Sequence, residues 1–351
     1  MVLTTTARDS QLDLDPWIGQ RSASYRYALV NGVTGQPLGP ITPLRSGSLS
    51  HDTGRTIMRQ LSIPLGAADV ARINTLTDRL DLSMVFGNGD EYPLGRYMFT
   101  DDTRIKFTSG RLGSPQLTDE MFIVDQEIEA GYSANGKNCT SALQEVFAGF
   151  SFDLTLEASP YSSVSSWGVG TMRGQIIQSL ALEGDYFNPW FGNDRTIHAI
   201  RAFDPASVVP RFDFDSGKKV LREGITEQDD ILAAPNRFIV ISNAGTDPLN
   251  PVVGRADVPI TAPHSIPNRG FVQSKTVDLQ IGSPAQAQAV AENLALRNTV
   301  FERVQLQTAA DPRHDSWDVV RWVGEQWLEI GWSIDLSPGG LQTHILRKAY
   351  S

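Results

Sequence analysis

Hydrophobic and polar positions along this chain follow two rhythms, and the change between them is sharpest towards its C-terminal end. In SPAQAQAVAENLALRN, beginning at Ser283, the residues Ala287, Val290, Ala291 and Leu294 recur at the spacing of one helix face. Ser283 is placed to cap that helix, and Pro284 suits a first turn, where a missing N–H costs nothing. Past Asn298 the period becomes two. Val304 and Leu306 alternate with polar residues, and SWDVVRWV, QWLEIGWSIDL and LQTHILRKAY follow as strand-like runs joined by short turns, Pro338-Gly339-Gly340 among them. The pattern predicts a helix feeding a small closed antiparallel barrel.

The N-terminal third is also mostly β in texture. YRYALVNG alternates into an Asn31-Gly32 turn, TIMRQLSIPL alternates again, and LRSGSLSHDTG between them is rich in turn formers. GAADVARINTLTDRLDL predicts a short helix through Val70, Ile73, Leu76 and Leu80, and MVFGNGDEYPLGRYMFTDD a hairpin around Gly87-Asn88-Gly89-Asp90. MFIVDQEIE closes the segment, and residues 1–20 read as an arm that Pro16-Trp17 tacks down.

Residues 131–205 differ. TSALQEVFAGF predicts a helix with Ser141 and Gln144 as a capping box and Gly149 as its stop; TMRGQIIQSLALEG predicts a second, from Thr171 to Gly184. YFNPWFGNDRTIHAIRAF is a hairpin pivoting on Gly192-Asn193-Asp194. RFDFDSGKKVLREG and NRFIVISN return to strand, and 246–282 is an irregular insertion ending in the strand FVQSKTVDLQ.

At 351 residues the chain exceeds one ordinary core, so two to four domains are expected. No segment approaches the roughly 20 apolar residues of a membrane span, and the acidic first residues do not read as a secretory signal. A lone Cys139 excludes an internal disulfide framework and any Cys-based zinc site, and reads as a buried or incidental thiol. The net charge of −10, with no basic block, argues against a protein that grips nucleic acid through its phosphates. Such acidity suits a wall that DNA passes without sticking, although ordinary solubility is the more common cause of such a balance.

Candidate chemistry is thin. Gly168-Val169-Gly170-Thr171-Met172-Arg173-Gly174 has GxGxxxG spacing and no βαβ unit around it, so it is a loop before a helix. Asp213-Phe214-Asp215-Ser216-Gly217 starts like a calcium loop, but Lys218 and Gly224 occupy the positions where Gly and Glu are needed; it reads as a β-turn with solvated acids. Asp101 with Asp102, Asp229 with Asp230 and Glu325 with Glu329 are the carboxylate pairs; adjacent ones point to opposite faces of a strand. His51, His198, His264, His314 and His344 are widely separated, none in HExxH spacing, and there is no GxSxG elbow. Each histidine is expected to be a surface or half-buried residue, not a catalyst. Neither cofactor, metal nor catalytic residues are assigned. Trp317, Trp322, Trp327 and Trp332 crowd the C-terminal strands; a small barrel does not easily bury four, which makes them candidates for a subunit interface.

Taken together, EYPLGRYMFTDD (91–102), SWGVGTMRGQIIQSLALEGDYFNPWFGNDRTI (166–197), the Ala234–Phe238 stretch and the helix-plus-barrel end at 283–351 resemble the tail hub proteins of long-tailed bacteriophages, the minor tail or baseplate hub class. The resemblance implies a β-rich α+β fold of two small antiparallel β-barrels and two mixed α+β domains. Residues 1–20 would be the arm, 21–130 the first barrel and 131–205 a mixed domain. Residues 206–245 with 300–351 would form a discontinuous second barrel around an inserted α+β domain at 246–299. It further implies a homotrimeric ring at the virion tail tip, meeting the distal tail protein, the tape measure protein and a fibre, spike or other minor tail protein, with genomic DNA passing unbound. Cell-wall cutting and receptor binding are then expected on other chains. A tail-associated cell-wall hydrolase and a carbohydrate-binding tip protein are the alternatives.

Overall fold

The computed structural model describes residues 23–101, 104–107, 110–215, 220–224, 234–242, 251–297 and 303–348. The arm at 1–20 and the carboxylates of Asp102, Asp229 and Asp230 lie outside them.

Both β-rich zones belong to one 13-stranded sheet. Its N-terminal part contains Ala23–Asn31, Pro37–Ile41, Ser48–Asp52, Arg59–Ser62, Asp78–Phe86, Glu91–Asp101 and Gln116–Asp119. Its C-terminal part contains Phe212–Asp213, Val220–Gly224, Arg303–Ala309, Val319–Trp322, Glu325–Asp335 and Leu341–Lys348. Among the described residues the ladder runs open from Pro37–Ile41 to Val220–Gly224, without closing a ring in either zone.

The joint is the long strand Glu325–Asp335. Along one edge its residues 327–334 pair with Leu341–Lys348. Along the other, residues 325–328 pair with Val319–Trp322, and then Gly331–Asp335 pairs with Ser48–Asp52 (Gly331 opposite Asp52, Asp335 opposite Ser48). A side chain at Gly331 would stand 2.8 Å from the His51 carbonyl oxygen, so the close approach of the two zones needs glycine there. The Ser48–Asp52 strand lies inside the segment read from sequence as turn formers. Serines occupy its exposed face, while Leu49 and His51 are buried. Strand propensity is therefore low, and pairing on both edges overrides it.

Two mixed units attach to this sheet. In the first, the helices Cys139–Phe147 and Arg173–Glu183 pack beside a small sheet of Leu154–Leu156, Trp190–Phe191 and Ile197–Ala199. The expected helices are present, but their caps differ. Asn138, not Ser141, accepts from Thr140 N at 2.9 Å, and Thr171 Oγ1 turns back to Gly168 O instead of capping. In the second, Arg237–Ser242 is the central strand between Val252–Asp257 and Ser274–Asp278, covered by the helix Pro284–Arg297. Ser283 Oγ accepts from Gln286 N at 3.2 Å, the cap that the sequence implied. The Arg237–Ser242 part of NRFIVISN therefore sits in this unit, whereas the resemblance implied that it belongs to the second barrel. Two local readings also change. The helix near residue 70 stops at Arg72, with Leu80 inside a strand and Leu76 85% exposed, and MFIV is a short helix.

Candidate functional site

The loop DPRHDSWD, residues 311–318, connects Arg303–Ala309 to Val319–Trp322 and is almost entirely buried. Its acids organise it. Asp311 Oδ1 accepts from Arg313 N at 3.0 Å, and the Arg313 guanidinium grips the same carboxylate. Asp318 Oδ2 accepts from Asp315 N at 2.8 Å. Backbone N–H groups that a buried loop would leave unpaired are thus satisfied by short carboxylates.

Towards the N-terminal zone, Arg59 Nη2 donates to Asp315 Oδ1 at 2.9 Å, and both side chains are 2–3% exposed. Arg59 Nη1 also donates to Asn193 Oδ1 at 2.6 Å, and Arg59 lies over the Trp332 ring at 5.7 Å. His51 Nε2 pairs with Ser316 Oγ at 2.8 Å, and its ring stacks on Trp332 at 5.2 Å. Burial, then the neighbouring Arg59 charge, push the His51 pKa down to about 3, so it is neutral at pH 7.

Towards the first mixed unit, Trp190 Nε1 donates to Asp315 Oδ1 at 2.9 Å and Asn193 Nδ2 to Pro312 O at 2.8 Å. Trp317, held at φ +64°, stacks on Phe187 at 4.3 Å. Within the C-terminal zone, His314 Nδ1 is 2.7 Å from Glu329 Oε2, and His344 Nδ1 is 2.5 Å from Glu329 Oε1. Burial alone would raise the Glu329 pKa; the two imidazoles outweigh it and hold the carboxyl down at about 2. One loop therefore locks three packed bodies together through charged hydrogen bonds, whose loss in a dry interior costs far more than at a surface.

Of the histidines expected at surface or half-buried positions, His198 is half-buried, while His51, His264, His314 and His344 are buried. No linear spacing announces this, because their partners come from strands distant in sequence. The four tryptophans divide among separate cores. Trp332 joins the N-terminal zone's core, Trp322 and Trp327 pack together in the C-terminal one, and all three are buried. Trp317 is half-buried, and alone of the four keeps appreciable surface. Cys139 is buried, and burial followed by the nearby Glu183 push its thiol up to about 12. Asp215, read as a solvated turn acid, accepts the N–H groups of Val323 and Gly324 at 2.5 and 2.8 Å. Glu325 pairs with Lys348 at 2.7 Å while Glu329 is enclosed, so those carboxylates do not face one another across a cleft. Among the described residues no helix is long and apolar enough to cross a membrane.

A long shared sheet, two attached α+β units and one sealed polar lock define a β-rich α+β scaffold. No family model matches the chain, and no curated protein matches it by sequence. Solved structures do. The tail protein from Neisseria meningitidis MC58 superposes with a TM-score of 0.65 at 12% identity, over 93% of this chain and 96% of that one. The 43 kDa tail protein of prophage MuSo2 from Shewanella oneidensis gives 0.60 at 9% identity, over 92% and 98%. The prophage tail protein gp18 from Listeria monocytogenes gives 0.55 at 8% identity, over 93% and 95%. The chain has the fold of these tail proteins along nearly its whole length.

Proposed function

We propose that this protein is a structural hub of a bacteriophage tail tip. Three copies close a ring that joins the six-fold tube and distal tail protein to three-fold tip components, while genomic DNA passes through without specific binding. The observation that carries this reading is the seam between Ser48–Asp52 and Gly331–Asp335, which fuses two β-rich zones into one body. Two such zones per chain let a three-fold ring offer six similar surfaces. Each zone would complete a small barrel, at 21–130 and at 206–245 (without the Arg237–Ser242 strand) with 300–351, leaving a mixed domain at 131–205 and an inserted one at 246–299. Arg237–Ser242 belongs with the inserted unit by its pairing. The tape measure protein and a fibre or spike are the further partners, and Trp317, half-buried where the other three tryptophans are buried, would be the one to meet a neighbouring subunit.

Enzymatic action finds no support in the site. Among the described residues, the cluster of His314, Glu329 and His344 is 0–1% exposed, and a polymer has no approach to it.

Electron microscopy of the chain assembled with its cognate distal tail protein tests the proposal. The expected image is a three-fold hub seated on a six-fold ring, with Trp317→Ala weakening the hub. A lone chain in the assembly, or a clearing zone on a cell-wall zymogram, overturns it.

A further inference from the structure

His314, Glu329 and His344 come from a loop and two strands, and their donor atoms lie within 4.8 Å of one another. We propose that they form a structural site for one divalent transition-metal ion of the zinc type, bound through both Nδ1 atoms and the Glu329 carboxylate.

The donor set is the first reason. Two imidazoles and a carboxylate suit zinc, whereas calcium and magnesium favour oxygen alone. Adjustment on the order of an ångström brings such donors to the roughly 2.0–2.2 Å of zinc bonds. The Asp318 Oδ2 atom, 4.0 Å from His314 Nδ1, offers a further oxygen.

The second reason is the outer nitrogen of His344. Its Nε2 is 2.8 Å from Thr308 Oγ1, and that hydroxyl is 2.8 Å from Ala309 O. A hydroxyl has one hydrogen to give; committed to the carbonyl, it can only accept from the imidazole, so Nε2 carries a proton. A metal-binding histidine is oriented in this way, donating its outer N–H to a fixed acceptor and presenting the other nitrogen inward. His344 Nδ1 then faces Glu329 either as a second N–H on a charged ring or as a lone pair aimed at a cation. The His314 ring lies nearly flat against Phe212 at 3.8 Å, which holds the plane that its own Nδ1 lies in.

With all three residues 0–1% exposed, the ion enters as the chain folds and ties two strands to the 311–318 loop.

The test uses the full untagged chain, unfolded in guanidinium with a chelator, then refolded with or without ZnCl2. The expected result is about one zinc per chain after gel filtration and a Tm higher by about 5 °C or more than without zinc. Glu329→Gln and His344→Asn should each reduce zinc to below about a tenth per chain. Should those variants fail to refold, the parent refolded with CoCl2 decides, since bound cobalt shows visible d–d bands and free cobalt in buffer does not match them. A folded parent with the same Tm in both conditions, under about a tenth of a zinc per chain and no such bands overturns the site, leaving protons in the metal's place.

Discussion

Arg59 and Asp315 stand 256 positions apart in the chain, yet Nη2 of one and Oδ1 of the other meet at 2.9 Å in the interior. The same carboxylate oxygen takes the Trp190 indole N–H, so one acid serves two bodies of the fold. Breaking a buried pair by removing one partner strands the other charge, which costs about 3–5 kcal/mol. Arg59→Met should lower unfolding free energy by about that amount, and Asp315→Leu by a similar one. Urea denaturation of both variants and of the double variant checks this. A double variant much less destabilised than the sum of the singles is expected, because they share one interaction. Additive losses would show the pair to be uncoupled.

At the seam, Gly331 has its own prediction. A methyl group there meets the His51 carbonyl at 2.8 Å, and that backbone is held in place by pairing on both sides. Gly331→Ala should cost about 1–3 kcal/mol through overpacking. Hydrogen exchange should accelerate first in Ser48–Asp52 and Gly331–Asp335. Unchanged protection in those strands would show that the seam yields without loss.

Glu183 makes stability depend on pH. Its Oε1 accepts the Ser165 hydroxyl at 2.5 Å, and burial pushes its pKa up to about 7, against 4.5 for the free side chain, with the Ser163 and Ser165 hydroxyls pulling back. The folded protein thus keeps a proton that the unfolded chain releases. Its contribution is fully present below the free-side-chain value and is lost as pH rises to about 7, on the order of 3 kcal/mol. Glu183→Gln should therefore be more stable than the parent at about pH 8 and nearly equal to it at about pH 4.5. Denaturant midpoints at the two pH values check it; an equal difference at both contradicts it.

Val323 and Gly324 form the two-residue turn between Val319–Trp322 and Glu325–Asp335, with φ of 54° and 73°. Positive φ strains a β-branched residue, and this turn favours Asn-Gly. Val323 is 66% exposed, so little packing is lost by replacing it. Val323→Asn should raise stability by about 1 kcal/mol, read as a higher Tm. A lower Tm would mean that the valine has a packing role.

What the sequence made legible follows from how local each signal is. The helix Pro284–Arg297 and the C-terminal strands carry periodicity, cap and turns within a few residues, and all were readable. The Ser48–Asp52 strand was not, since SLSHD has serines where strand formers are expected and its pairing partners lie far away. The polar lock was hidden for the same reason: His314, Glu329 and His344 have no motif, and Arg59 gives no sign that its partner is Asp315. Four tryptophans in one short stretch pointed to a surface because they were counted against a single core. The long strand instead crosses from one core to the next, delivering Trp327 to the first and Trp332 to the second.

The central claim is that two β-rich zones fused in one chain build a three-fold collar. Native mass spectrometry of the purified chain, alone and with its cognate distal tail protein, tests it most directly. The predicted species has three times the 38.5 kDa chain mass, free or bound to the partner ring. A chain that stays single in both samples contradicts it.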